Sequence, residues 1–192
     1  MGFIAWFISC ISSLFFKKKK GYDFDGVAVS EHTHRHEQKF VTKEAISLRN
    51  KAGGKAVEMK KAFAESQSAY KSNRKSAAHD LSVKGKKAQK EMNSMNEAAV
   101  AVIIKGQIED WKNGFIDLHG LYVKEAETET KKFIDYHEKK KTQTVVIITG
   151  AGHHSKTRDK PLIRPAVEKI LKQKRIKHDL EHGSGSYKCF LK

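Results

Sequence analysis

Between Thr42 and Val102 the apolar positions recur at helical spacing. Leu48, Ala52, Ala56, Met59 and Phe63 are spaced four, four, three and four, which lines up one face of an amphipathic helix. The stretch YKSNRKSAAHD interrupts that row with turn formers near Ser72–Asn73, and a second row then runs Leu81, Ala88, Met92, Met95, Ala99 and Val102. Two apolar faces joined by a short turn predict an antiparallel helical hairpin, assigned here to residues 42–112. Alanine and methionine make its core thin, so the hairpin is expected to pack on a neighbour. Lys84, Lys86, Lys87 and Lys90 fall on its outer face, where they suit solvent or phosphate equally.

Beyond residue 113 the period changes. FIDLHG reads as a strand. YVKEAETETKKFIDYHEKKK reads as a helix with Val123, Ala126, Phe133, Ile134 and His137 to one side. TVVIITGAG is a continuous apolar strand, expected to be buried on both faces if central. PLIRPAVEKILKQKR is a helix whose prolines, Pro161 and Pro165, fit only near its start. IKHDLEHG and SYKCFLK are short strands around a turn at Gly183–Ser186. The order βαβαββ over residues 113–192 predicts a sheet with parallel central strands and right-handed crossovers. The fold class is therefore α+β.

The chain opens MGFIAWFISCISSLFFKKKK, with residues 2–16 apolar or small and four lysines directly after. As an apolar helix those fifteen residues would reach about 22 Å, short of the roughly 30 Å hydrocarbon core. Lysines that snorkel recover part of the deficit. Residues 1–20 are accordingly expected to be a hydrophobic anchor with a polybasic end. Positive charge after the apolar run favours the rest of the chain on the cytoplasmic face of a membrane, the alternative being a cytoplasmic protein. Cys10, inside the run, is a lipidation candidate. Residues 21–41 mix glycine, acids and histidines without helical period and read as a linker. His32, His34 and His36 alternate within it, which would put all three on one side of an extended chain, but nothing nearby supplies a tetrahedral metal cage.

Charge narrows the partners. The 192 residues carry 38 Lys+Arg against 22 Asp+Glu, a net +16. The excess is not confined to a tail: residues 41–112 hold 15 basic and 8 acidic groups, and residues 113–192 hold 17 and 10. Such a balance favours polyanions, whether RNA, DNA or an acidic membrane surface. Two cysteines at opposite ends, Cys10 and Cys189, exclude a disulfide framework and fit a reducing compartment.

Ligands of open α/β sheets gather at the carboxyl ends of the strands. There the first strand ends in Asp117–Leu118–His119–Gly120 and the second runs into TGAGHHSKTR. Alternation puts Asp117 and His119 on one face, and a carboxylate beside an imidazole can fix its tautomer and prepare a general base. Gly150 and Gly152 allow a sharp turn whose amides would point outward at phosphate oxygens. His153, His154, Lys156 and Arg158 follow at once.

Two resemblances sharpen this. The pieces LR..A, SQSAYKSN, AAHDLSVKGK and MNEAA within residues 42–108 resemble the helical domain of unknown function that often precedes a small MutS-related (Smr) domain. IDLHG followed by ITGAGHHS is similar to the Smr signatures, hydrophobic-Asp-x-His-Gly and Thr-Gly-x-Gly-x-His-Ser, with Thr149, Gly150, Gly152, His154 and Ser155 at the second. That resemblance implies a two-layer α/β sandwich that binds nucleic acid and, in several members, cuts RNA or nicks DNA. Related domains act on mRNA at stalled ribosomes, so RNA, DNA and the ribosome are the implied partners.

The expected chemistry has His119 as general base oriented by Asp117, and His154 as proton donor to the leaving oxygen or as a second phosphate contact. Gly120, Thr149, Gly150, Gly152, Ser155, Lys156, Arg158 and Arg164 would hold the phosphate. No cofactor is needed, although Asp117 and His119 could instead hold a divalent metal that activates water. The alternative is a non-catalytic RNA- or ribosome-binding protein tethered to a membrane, or an adaptor whose lysines meet acidic lipid.

Overall fold

A computed structural model describes residues 39–150, 162–181 and 185–191. The expected anchor over residues 1–20, Cys10 and the linker histidines lie outside the described residues. Among the described residues no helix is long and apolar enough to cross a membrane.

Helix α1 (Lys43–Lys71) starts at Thr42, whose hydroxyl accepts from the Ala45 amide at 3.2 Å. It ends at a three-residue turn in which Asn73 takes φ 58°, a left-handed conformation asparagine tolerates well. Helix α2 (Lys75–Gly106) runs back along it. Cross-contacts fix the antiparallel register: Arg49 meets Asn96, Lys55 meets Glu91, Phe63 lies against Gly85, and the Ser66 hydroxyl donates to the Ala78 carbonyl. Ala52, Ala56, Met59, Ala88 and Met92 form the slender core between the helices, as the spacing of apolar positions predicts.

A short helix α3 (Ile108–Lys112) leads into β1 (Phe115–Asp117), α4 (Val123–Lys139), β2 (Thr144–Ile148), α5 (Ile163–Gln173), β3 (Lys177–Glu181) and β4 (Ser186–Phe190). The strand order is β1-β2-β4-β3. β1 and β2 pair in parallel, whereas β4 pairs antiparallel with both β2 and β3. β1, β2 and β3 thus share one direction, and β4 alone is reversed between β2 and β3. The expected parallel centre is corrected by this: the β3–β4 hairpin folds back into the gap beside β2, so the central pair is antiparallel.

Strand β2 also departs from the expectation of burial on both faces. Val145 and Ile147 are buried, while Val146 and Ile148 are only partly covered. The pairing register puts Ile116, Ile147 and Tyr187 in one row, with Val145 and Cys189 in the next. That face is the one that meets Phe133 and Ile134 of α4 and Val167, Ile170 and Leu171 of α5. Burial pushes the Cys189 thiol up to about 12, so it is an inert core residue.

The thin hairpin does find its neighbour. Ala45 and Ile103, at its open end, belong to the same buried cluster as Ile116, Leu118 and Leu121. His137 stitches α3 to α4 from inside: its ring nitrogens sit 2.9 Å from the Trp111 carbonyl and 2.9 Å from the Thr142 hydroxyl. A carbonyl only accepts, so Nε2 carries the proton to Trp111 and Nδ1 accepts from Thr142. His137 is fully buried and structural.

Candidate active site

Parallel pairing of β1 and β2, with Asp117 opposite Ile148, makes both strands leave the sheet at the same edge. One further rung, from the Leu118 amide to the Ile148 carbonyl at 2.9 Å, carries the pairing past the strand ends. The two tips then meet. A Cβ built on Gly150 would stand 2.7 Å from His119 Nε2 and 3.4 Å from both Cδ2 and Cε1, so the Nε2 tip of the ring meets the second loop's backbone. Gly150 takes φ 76°, a conformation that glycine adopts without strain. Both its missing side chain and its backbone angle make room for the imidazole.

Asp117 answers for the Asp-x-His spacing. Its Oδ1 accepts from the His119 backbone amide at 2.9 Å and from the His119 ring Nδ1 at 2.6 Å. One carboxylate oxygen therefore shapes the turn and orients the ring together. Because an ionised carboxylate only accepts, Nδ1 carries a proton, and the ring's other nitrogen, Nε2, points toward Gly150. The pair is partly covered, with His119 28% and Asp117 16% exposed at their side chains. An imidazole held in this way can serve chemically as a general base.

Two residues that sequence reasoning did not single out hold this turn from the hairpin side. The Gln107 amide group accepts from the Asp117 N–H at 2.7 Å and donates to the Asp117 carbonyl at 2.8 Å. Arg49 donates through Nη2 to the Gly120 carbonyl at 3.3 Å. It forks onto the Glu125 carboxylate, contacts Asn96 Oδ1 at 2.7 Å, and lies 4.2 Å over the Tyr122 ring. Glu125 in turn takes the Tyr122 amide at 2.9 Å, closing the start of α4. Arg49 lay inside the LR..A piece, but no local pattern marks a partner 71 residues away.

Several expected phosphate contacts have other duties. Thr149 is buried, and the Thr149 and Gly150 amides donate to the Gly185 carbonyl at 2.9 and 3.0 Å. The Gly150 amide is thus committed to the β3–β4 turn rather than pointed outward at phosphate. Gly120, at φ 79°, packs so closely on Val41 that a Cβ would come within 2.5 Å of its Cγ2. Arg164 lies on the first turn of α5, where its charge acts on Tyr187 against the upward push of burial and Glu168. Gly152, His153, His154, Ser155, Lys156 and Arg158 lie outside the described residues. Among the described residues no group of three His, Cys, Asp or Glu converges as a metal cage would require.

The geometry defines a class: an α+β domain with a carboxylate-steadied imidazole at the tips of two parallel strands, braced by a helical hairpin. Residues 46–107 match DUF1771, a domain of unknown function, and residues 116–187 match the Smr domain. The chain carries a DUF1771 domain followed by an Smr domain, which is the family its sequence motifs resemble.

It is 33% identical over 129 residues to the Smr domain-containing protein C11H11.03c of Schizosaccharomyces pombe, covering 67% of this chain and 62% of that one. It is 34% identical over 120 residues to Endonuclease NBR9 of Saccharomyces cerevisiae, covering 62% of this chain and 50% of that one. The chain thus spans between half and two thirds of these relatives' lengths. Among solved structures, the B3BP Smr domain is 29% identical with a TM-score of 0.41, covering 50% of this chain and 96% of its own. The human small-MutS related domain is 28% identical with a TM-score of 0.34, covering 40% and 99%.

Proposed function

We propose that this protein is an Smr-type endonuclease that cuts RNA, with His119 as general base and Asp117 as its orienting partner. The carrying observation is the meeting of the two strand tips, which leaves an imidazole with a fixed tautomer at the edge of a basic domain. The name of the Saccharomyces cerevisiae relative, an endonuclease, supports the same reading.

His119 Nε2 accepts the proton of a ribose 2′-hydroxyl, whose oxygen attacks the adjacent phosphorus. The 5′-oxygen leaves with a proton from a general acid, the role assigned to His154 by its motif. Lys156 and Arg158 would neutralise the charge gathered on the phosphate. The products are a 2′,3′-cyclic phosphate and a 5′-hydroxyl end. DNA has no 2′-hydroxyl and is not a substrate of this chemistry.

Purified full-length protein, incubated with labelled RNA or DNA of one sequence, tests this. RNA is expected to be cut equally with and without chelator, giving those two ends, while DNA stays intact. Cleavage lost with chelator would instead give Asp117 and His119 the role of metal ligands. Binding without cleavage would reduce the protein to an RNA-binding module.

The apolar residues 2–16 and the lysines after them support a second part of the proposal, attachment to a membrane surface. The full chain is expected to float with vesicles containing anionic lipid, and a chain lacking residues 1–20 to stay behind. Equal flotation of both would sink the anchor.

A further inference from the structure

Among the described residues β1 is an edge strand, and its outer side at Asp117 faces no other strand. An edge residue's amide and carbonyl normally face water and let the strand end fray. Here both are taken by one side chain from another domain. Gln107 is 2% exposed and satisfies Asp117 on both its backbone groups, at 2.7 and 2.8 Å. A glutamine amide is suited to this, since its oxygen accepts and its nitrogen donates in one plane. It behaves as a one-residue substitute for the missing strand.

Gln107 is also the last residue of the DUF1771 match and the residue that follows α2. Its hold on Asp117 lies one side of the Asp-Leu-His-Gly turn. Arg49, from α1 of the same domain, grips the other side through the Gly120 carbonyl and Glu125. The carboxylate that steadies His119 is thus mounted on backbone clamped at both ends by the hairpin.

We infer that the helical hairpin is part of the active-site scaffold, and that Gln107 is a positioning residue for the Asp117–His119 pair. The inference rests on the nuclease proposed above only for what the positioned pair does. Without Gln107 the backbone of Asp117 exchanges its buried partners for whatever water can reach it, and the carboxylate loses its fixed approach to Nδ1. The hydrogen bond from Nδ1 then forms part of the time, and the base is oriented part of the time.

The test is Gln107→Met in the full chain, since methionine has similar length and volume but offers Asp117 no donor. Ile170→Val is the control: Ile170, on α5, belongs to the domain's buried apolar cluster, and its loss of one methylene lowers stability without touching the hydrogen bonds to Asp117. Three quantities are compared: the His119 Nδ1–H proton resonance, melting temperature, and kcat and KM for RNA. Gln107→Met is expected to broaden or abolish the Nδ1–H signal and to lower kcat by about tenfold or more, with KM little changed. Ile170→Val should keep both the signal and kcat. A Gln107→Met protein with the parent's Nδ1–H signal and the control's kcat would overturn the inference. If the parent protein cuts no RNA, the nuclease reading fails alone, and the Nδ1–H comparison still decides whether Gln107 holds the pair.

Discussion

Replacing His119 by alanine will lower RNA cleavage by about 10²–10⁴-fold, the usual contribution of a positioned general base, while RNA affinity stays near that of the parent. The ring is held for chemistry rather than for packing: it is partly exposed, and its Nδ1 is already engaged by Asp117 at 2.6 Å. Its loss opens no core cavity, so the folded state should survive, and circular dichroism with a thermal melt will confirm that. Asp117→Asn is the companion variant. An asparagine amide can donate to Nδ1, which moves the ring proton to Nε2 and removes the base without removing the ring. Its cleavage should fall into the same range as His119→Ala. A His119→Ala protein that cuts at the parent rate would end the general-base assignment, whatever Asp117→Asn does.

Much of this site was legible along the chain because its parts are local. Asp117 and His119 are two residues apart, close enough that one carboxylate oxygen at the strand's end reaches both the backbone amide and the ring of the residue in the turn. Their meeting with Gly150 needed only one further rule, that neighbouring parallel strands leave a sheet at the same edge. What could not be read depends on pairings between distant segments. The reversal of β4 between β2 and β3 is decided by which strand a short hairpin pairs with, and apolar runs do not encode that. The partial exposure of Val146 and Ile148 follows from where α4 and α5 pack, on the Val145 and Ile147 side.

The same cause hid Gln107 and Arg49. A glutamine at a helix end and an arginine in an amphipathic helix are ordinary surface residues by pattern. Only the docking of the hairpin's open end, through Ala45 and Ile103, carries them to Asp117 and Gly120. At Gly150 the amide expected to point outward faces the Gly185 carbonyl instead, and what the residue offers the ring is its lack of a side chain; Gly152 lies outside the described residues.

Gly150→Ala places a methyl group about where the 2′-hydroxyl must come, because the Cβ would stand 2.7 Å from His119 Nε2. A proton is passed only within hydrogen-bond reach of that atom, roughly 2.6–3.2 Å. Either the methyl blocks the approach or the ring swings off Asp117 to make room, and both outcomes cost catalysis. Cleavage should drop by on the order of 10²-fold or more, the range of losing the base itself. The left-handed φ of 76° adds a stability cost of about 1–2 kcal/mol for alanine, visible as an earlier melt. A double variant separates the two effects. If Gly150→Ala acts through the imidazole, adding His119→Ala to it slows cleavage no further. Losses that multiply in the double variant, or a Gly150→Ala protein as active as the parent, would show that the second loop does not serve the ring at position 119.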